Sequence, residues 1–232
     1  MDFSTWEPVY EAILADFGYD RPADERARDL LASLVADAPT DPYDPAPDMF
    51  AGQTVAIAGA GPSLSTELEP IESADAVIAA STAADQLLEV GVSPDIVVTD
   101  LDKHSETVRE LTRSGIPVAV HAHGDNIAAV KESVPTFDLA WVLPTTQAEP
   151  VDPVRNFGGF TDGDRAAFLA DALGADRLVF PGWDFDDRTV GIEKERKLEW
   201  AERLLHWLEG RRDENFDVLD GRRDSSEPIE QQ

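Results

Sequence analysis

A chain of 232 residues with 42% hydrophobic content is long enough for one large domain, or one domain with an appendage, around a sizeable core. Its 47 acidic residues against 19 basic ones give a net charge of −28 with no basic patch, which argues against nucleic acid as a partner. Zero cysteines exclude disulfides, thiolate metal sites and cysteine nucleophiles, and with no membrane-length apolar run and no signal-like N-terminus the protein is expected in the cytoplasm, away from any membrane.

Residues 1–49 read as a helical segment followed by a connector. Trp6, Val9, Ile13 and Phe17 recur at helical spacing, as do Ala27, Leu30, Leu34 and Val35. Four prolines between Pro39 and Pro47 then stop any helix. The helical pair is expected to pack on the main domain or on a partner subunit, which leaves a homodimer open. From residue 50 to 210, short apolar runs alternate with amphipathic stretches. The expected strands are Thr54–Ala58, Ala76–Ala80, Ile96–Thr99, Pro117–His121, Leu139–Leu143 and Leu178–Pro181. The expected helices are Asp85–Val90, Glu106–Ser114, Ile127–Ser133, Arg165–Leu173 and Glu193–Glu209, the last with Leu198, Ala201, Leu205 and Leu208 on one face. This alternation predicts an α/β catalytic domain: a mainly parallel, doubly wound, Rossmann-like sheet with helices on both faces. Ligands of such sheets bind outside the carboxyl ends of the strands. Residues 211–232 read as a charged, disordered tail.

The polar motifs fall at those strand ends. Gly59-Ala-Gly-Pro-Ser-Leu64 follows the first strand, and its glycines allow close backbone approach to a phosphate. Leu64 stands where a dinucleotide fingerprint needs glycine, and no Walker A sequence is present. A tight strand-to-helix turn is the alternative for this loop. Thr82 and Asp85 have capping-box spacing. Ile96–Thr99 delivers Asp100 and Asp102, and alternation along an extended chain would aim both carboxylates one way. Such a pair suits Mg²⁺, which is often held by one or two carboxylates plus substrate phosphates; a plain turn is the alternative. His121-Ala-His-Gly-Asp-Asn126 is the densest polar cluster, with His121 and His123 on one face. Its carboxylate companions favour Mg²⁺ with polar helpers over a transition metal, although Asp125 or Asn126 could be an N-cap.

Two further loops and one helix complete the set. In Asn156-Phe-Gly-Gly-Phe-Thr-Asp-Gly-Asp-Arg165, Gly158 and Gly159 permit close backbone approach. Thr161 and Asp164 have capping-box spacing, which leaves Asp162 as the ligand candidate. In Gly182-Trp-Asp-Phe-Asp-Asp187, Trp183 and Phe185 could stack on a flat heterocycle while Asp184 accepts its ring N–H groups; anchoring of aromatics beside a polar turn is the alternative. Lys194 and Lys197 share a helix face and either serve the site or pair with neighbouring glutamates.

These motifs resemble those of the archaeal 6-hydroxymethyl-dihydropterin pyrophosphokinases, which share a broader domain with certain glycosyltransferase-like proteins. The resemblance covers nearly the whole chain before the tail. It rests on Gly59–Leu64, Thr99–Asp102, His121–Asn126 and Phe157–Arg165. A weaker similarity reaches the thiamine pyrophosphokinases through Pro94–Asp102 and Thr161-Asp162, but the β-rich vitamin-binding domain that follows there is missing, so a pterin substrate is preferred. The resemblance implies transfer of diphosphate from ATP to the hydroxymethyl group of the pterin, with release of AMP, in a folate or methanopterin-type pathway. It implies Mg²⁺ on Asp100 and Asp102, with Asp125 or Asp162 as a further ligand. Gly59, Gly61, Pro62, Ser63, Asn126, Gly158, Gly159, Arg165, Trp183 and Asp184 are expected to contact the bound molecules. Lys103, Lys194 or Lys197 would stabilise the AMP leaving group, and His121 or His123 would assist deprotonation. A nucleotide-sugar-dependent transferase and a nucleotide-binding module without catalysis remain as alternatives.

The charge generates its own expectation. Only Lys103, Lys131, Lys194 and Lys197 are lysines, and an acid-rich, lysine-poor chain is suited to a halophile's high-salt cytoplasm. Self-repulsion of the 28 excess negative charges opposes the compact state until ions screen it, and the Debye length shrinks to about 3 Å at 1 M salt. The thermal unfolding midpoint is expected to rise steeply from low to molar KCl. A midpoint independent of KCl would contradict this.

Overall fold

The structure, a computed structural model, describes residues 1–36, 40–187, 189–223 and 229. Pro39 of the connector and most of the tail beyond Arg223 lie outside the described residues. In chain order the regular elements are helices α1 (Phe3–Phe17) and α2 (Arg21–Ala36), strand β1 (Thr54–Ala58), α3 (Leu68–Ser73), β2 (Ala76–Ala80), α4 (Ala83–Glu89) and β3 (Ile96–Thr99). They continue with α5 (Ser105–Arg113), β4 (Val118–Ala122), α6 (Ile127–Ser133), β5 (Val142–Thr146), α7 (Asp162–Ala172), β6 (Arg177–Val179) and α8 (Ile192–Arg212). The fold is α/β with parallel strands, as the alternation of runs implies. Among the described residues no helix is long and apolar enough to cross a membrane. Contacts divide the chain into two compact units that cut across the boundaries expected at 49 and 210: Met1–Pro45 with Asp95–Gly158, and Ala46–Pro94 with the chain from Gly159 onward.

In the first unit the strands run in the order β5-β4-β3, with Val97 opposite Val118 and Val118 opposite Val142. The four residues of β3 and five of β4 are all buried, the pattern of parallel strands covered on both faces. Helix α2 lies against β4, β5 and α6. Its buried seam is Asp24, Ala27, Leu31 and Val35, one step round from the expected face, since Leu30 and Leu34 are only half-buried. Helix α1 buries Trp6, Val9, Tyr10, Ile13 and Leu14, and the Trp6 indole N–H donates to the Gln147 carbonyl at 2.9 Å. The helical pair is therefore part of this unit's core.

Strand β5 starts three residues later than the apolar run suggested. The Asp138 carboxylate accepts the Ala140 N–H at 3.2 Å and opens a 3₁₀ turn over Leu139–Trp141, a local competition that periodicity does not register. Pro144 is tolerated inside β5 because this strand has β4 on one side only; its carbonyl accepts the Arg155 N–H at 2.9 Å.

In the second unit the order is β2-β1-β6, with Val55 opposite both Ala76 and Leu178. The chain leaves β1 toward β2 and later returns to the other side of β1 as β6. That reversal is a topological switch point, where the loops leaving two adjacent strands part and open a crevice. Helix α7 covers β1 and β2 and packs on α8, where Phe168 and Trp207 meet with ring centroids 5.8 Å apart. On α8, Ala201, Leu205 and Leu208 are buried as expected, whereas Leu198 is half-buried. The expected tail is structured at least to Arg223. Helix α8 runs on to Arg212, and Phe216 is fully buried against Phe180 with centroids 4.7 Å apart. The Glu209 carboxylate clamps this return, accepting the Phe216 N–H and an Arg223 N–H, both at 2.6 Å. Burial pushes the Glu209 carboxyl up, but the Arg223 guanidinium and the Phe216 N–H outweigh it and hold the group below the ordinary glutamate range.

Candidate active site

In the first unit the chain turns sharply where β3 ends. Leu101 takes a left-handed φ of 66° and is 4% exposed; burial of its side chain offsets a backbone strain of about 1–3 kcal/mol. The extended alternation expected to aim Asp100 and Asp102 together therefore stops at Thr99. The turn brings the two residues together instead, with the Asp102 N–H donating to Asp100 Oδ1 at 3.2 Å. Asp100 is partly buried and Asp102 exposed. Thr99 braces the turn from inside: its hydroxyl oxygen accepts the Leu101 N–H at 3.1 Å and lies 3.4 Å from His104 Nε2. His104, also left-handed at φ 46°, was not singled out from sequence.

The loop after β4 is built around Asn126. Its Nδ2 donates to the Asp100 carbonyl at 2.6 Å and to the His121 carbonyl at 2.7 Å, while its Oδ1 accepts the His123 N–H at 2.9 Å. Asn126 is 2% exposed. Both amide protons are thus directed at backbone, and the side chain braces the loop. Asp125 is exposed.

The two histidines sit with ring centroids 6.3 Å apart in different hydrogen-bonding roles. The Thr145 hydroxyl donates to the Val120 carbonyl at 3.1 Å, so at His121, 3.1 Å away, it acts as acceptor. This assigns the Nδ1–H tautomer to neutral His121 and places the lone pair on Nε2. His121 is 2% exposed. His123 Nδ1 accepts the Asp125 N–H at 3.3 Å, which puts its proton on Nε2, 3.7 Å from Asp100 Oδ2. Asp100, Asp102 and His123 are therefore brought together on the carboxyl ends of β3 and β4. Among the described residues no three His, Asp or Glu side chains form a metal-binding cluster. Carboxylate oxygens such as those of Asp100 and Asp102 are the ligand type of Mg²⁺, which keeps waters and takes substrate phosphates as its remaining ligands.

In the second unit the loops after β1 and β6 are latched together at the switch point. The N–H groups of Gly59 and Gly61 donate to the carbonyls of Pro181 and Gly182, each at 2.9 Å. A Cβ on Gly59 would lie 2.5 Å from the Gly182 carbonyl oxygen, so the glycines serve loop-to-loop approach. The N–H groups expected to cradle phosphate are, at Gly59 and Gly61, committed to this latch. Asp184 Oδ2 accepts the Ser63 N–H at 2.8 Å, and the Trp183 indole donates to the Ile57 carbonyl at 2.8 Å. Beside the latch opens a cleft of about 280 Å³ lined by Pro62, Trp183, Asp184, Phe185, Asp186, Asp187 and Arg222. The Trp183 and Phe185 rings lie 5.7 Å apart, and the Arg222 guanidinium carbon sits 5.4 Å from the Phe185 ring centroid.

The other expected residues of this unit divide clearly. Thr161 and Asp164 form the expected capping box on α7, whereas Thr82 makes no side-chain cap on α4. Asp164 is fully buried, which raises its pKa against the opposing hydrogen bonds from Thr161 and from the Phe160 N–H. Asp162 is ion-paired with Arg165 at 3.0 Å, with side chains 11% and 6% exposed; its ligand role would have to displace that pair. Gly159 packs on Arg165, where a Cβ would meet the Arg165 Cα at 2.6 Å. Gly158, in the first unit, donates its N–H to Asn156 Oδ1 at 2.8 Å. Lys197 pairs with Glu193 at 3.2 Å, and Lys194 is exposed.

The parallel strands and the helices around them define an α/β protein. A family model described as 6-hydroxymethylpterin diphosphokinase MptE-like matches residues 33–189, and the chain belongs to this family of transferases. Three archaeal proteins named 6-hydroxymethyl-7,8-dihydropterin pyrophosphokinase are similar to it. That of Methanothermobacter thermautotrophicus is 41% identical, covering 90% of this chain and 96% of that protein. Those of Pyrococcus furiosus and Methanocaldococcus jannaschii are 40% and 37% identical, each over 90% of this chain and over 94% and 96% of their own lengths. The resemblance to this family is thereby borne out. A solved MAf glycosyltransferase from Magnetospirillum magneticum shares the fold, with a TM-score of 0.52 at 19% identity over 82% of this chain and 34% of that one.

Asn126→Asp puts a carboxylate against the Asp100 and His121 carbonyls and leaves both without their donor. Each unsatisfied buried group costs about 1–3 kcal/mol. Denaturant unfolding in molar KCl is expected to show a loss of about 2–4 kcal/mol, and an unchanged midpoint would contradict the bracing role.

Proposed function

We propose that this protein transfers the diphosphate group of ATP to 6-hydroxymethyl-7,8-dihydropterin and releases AMP, within the making of a folate or methanopterin-type cofactor. The observation that carries this reading is membership of the MptE-like family, with relatives of that name at 37–41% identity over 90% of this chain. The chemistry of the described residues supports it. The pterin hydroxymethyl oxygen attacks the β-phosphorus, the bond from that phosphorus to the α,β-bridging oxygen breaks, and AMP leaves. Transfers of this kind depend on positioning and charge stabilisation more than on covalent catalysis.

Asp100 and Asp102 are the residues that would hold Mg²⁺, with Asp125 exposed on the neighbouring loop. Bound there, the ion would neutralise the phosphates and act as a Lewis acid. With 28 excess negative charges on the chain, bare carboxylates would repel ATP. His123 presents its Nε2–H side toward Asp100, 3.7 Å from Oδ2, close enough to add favourable charge beside that carboxylate when protonated. His121 or His123, at the carboxyl end of β4, would assist removal of the proton from the hydroxymethyl group. In the second unit, the cleft beside Trp183 and Phe185 has the aromatic faces and the carboxylate of Asp184 that suit a flat, nitrogen-rich ring. Lys103, Lys194 or Lys197 would stabilise the AMP leaving group, Lys197 by giving up its pairing with Glu193.

ATP labelled at the β-phosphate tests the reaction in molar KCl with Mg²⁺. The label is expected in the pterin product, with AMP as the released nucleotide. Asp100→Asn is expected to lower turnover by at least about 100-fold, as loss of metal-borne charge stabilisation would. Label retained in ADP, or transfer seen only with a nucleotide sugar, would overturn the proposal.

A further inference from the structure

The N-terminal helices carry a buried carboxylate whose bonds converge on the loops just described. Asp24 lies on the apolar seam of α2 and is 3% exposed. Its Oδ1 accepts the Gly124 N–H at 2.7 Å. Its Oδ2 accepts the Tyr10 hydroxyl and Gln147 Nε2, each at 2.8 Å. All three donors are neutral. A buried carboxylate held this way is a poor route to stability, since desolvation offsets much of what its bonds contribute. An apolar residue would continue the seam of Ala27, Leu31 and Val35. Burial and the neighbouring Asp24 carboxylate push the Tyr10 hydroxyl well above its ordinary range, so Tyr10 stays a donor.

The three bonds have specific destinations. Gly124 lies between His123 and Asp125, at the start of the 3₁₀ turn that ends in Asn126. A side chain there would collide with α2, because a Cβ on Gly124 would lie 2.6 Å from the Ala23 Cβ. Asn126 in turn holds the Asp100 carbonyl. Gln147 directly follows β5, and its carbonyl accepts the Trp6 indole and Asn156 Nδ2, both at 2.9 Å. One carboxylate thus ties the loop after β4 and the loop after β5 to both N-terminal helices.

We infer that Asp24 is a positioning residue for the reaction, acting through Gly124 on the His121–Asn126 loop and through Asn126 on Asp100. This rests on the function proposed above. Asp24→Asn turns an amide N–H₂ toward either the Gly124 N–H or the Tyr10 and Gln147 donors. Asp24→Asn combined with Gln147→Glu restores donor against acceptor with the carboxylate on the other partner. Tyr10→Phe removes a donor but keeps the Gly124 bond.

The test combines amide hydrogen exchange of the full-length protein in molar KCl with steady-state diphosphate transfer. In Asp24→Asn, exchange across Gly124–Asn126 is expected to accelerate selectively, with β3 and α5 unchanged. Its kcat is expected to fall about 10–100-fold with the KM for ATP little altered, as misplacement of a reacting group would produce. The double variant should recover most of both, and Tyr10→Phe should leave the loop protected. Exchange that rises uniformly over the unit, or a loosened loop with kcat unchanged, would overturn the inference. If the wild-type protein transfers no diphosphate, the proposed function and the catalytic part of this inference fail together, while the exchange profile still decides whether Asp24 holds the loop.

Discussion

Where a parallel strand ends, the backbone groups beyond it lose their ladder partners and must be satisfied by something else. At the end of β4 that something is the side chain of Asn126. It takes the carbonyls of Asp100 and His121 and the N–H of His123 within 2.9 Å. Because one of those carbonyls belongs to the loop after β3, satisfying the backbone also fixes the two loops to one another. The Asp100 carboxylate and the His123 ring are neighbours as a consequence. The turn at Leu101, strained but anchored by a buried side chain, completes the placement of Asp102.

The second unit solves a related problem with glycine. Its two loops at the switch point meet backbone to backbone, and the latch between Gly59, Gly61, Pro181 and Gly182 leaves no room for side chains. With the backbone so paired, the cleft beside it presents side chains, Trp183, Asp184 and Phe185 among them.

Much of this architecture is legible in the sequence because its strands are buried on both faces and read as unbroken apolar runs; β1, β2 and β3 match their expected bounds. The late start of β5 is not legible, since a single Asp138 side chain redirects the local backbone. The motifs at strand ends are visible, but their roles are less so. Asn126, Gly59 and Gly61 look like ligand contacts because they are polar or small in loops, and their bonds to the protein's own backbone appear only with the fold. Asp162 looks free for a ligand until Arg165, three residues on, is seen to pair with it. Asp24 is missed because the expected face of α2, Ala27, Leu30, Leu34 and Val35, lies one step round from the buried seam it heads, Ala27, Leu31 and Val35. On an amphipathic helix such a residue is either a boundary or a buried bond-maker, and the sequence does not say which.

We propose that Asp100 and Asp102, placed by the Asn126 brace, form the divalent-cation site of a diphosphokinase. Crystals grown with Mn²⁺ and a non-hydrolysable ATP analogue test it most directly, through the anomalous signal of the metal. A peak is expected within coordination distance of the Asp100 carboxylate and of the analogue's phosphates, abolished in Asp100→Asn. A metal–phosphate peak bound by other residues, with Asp100 still turned to His123, would contradict it.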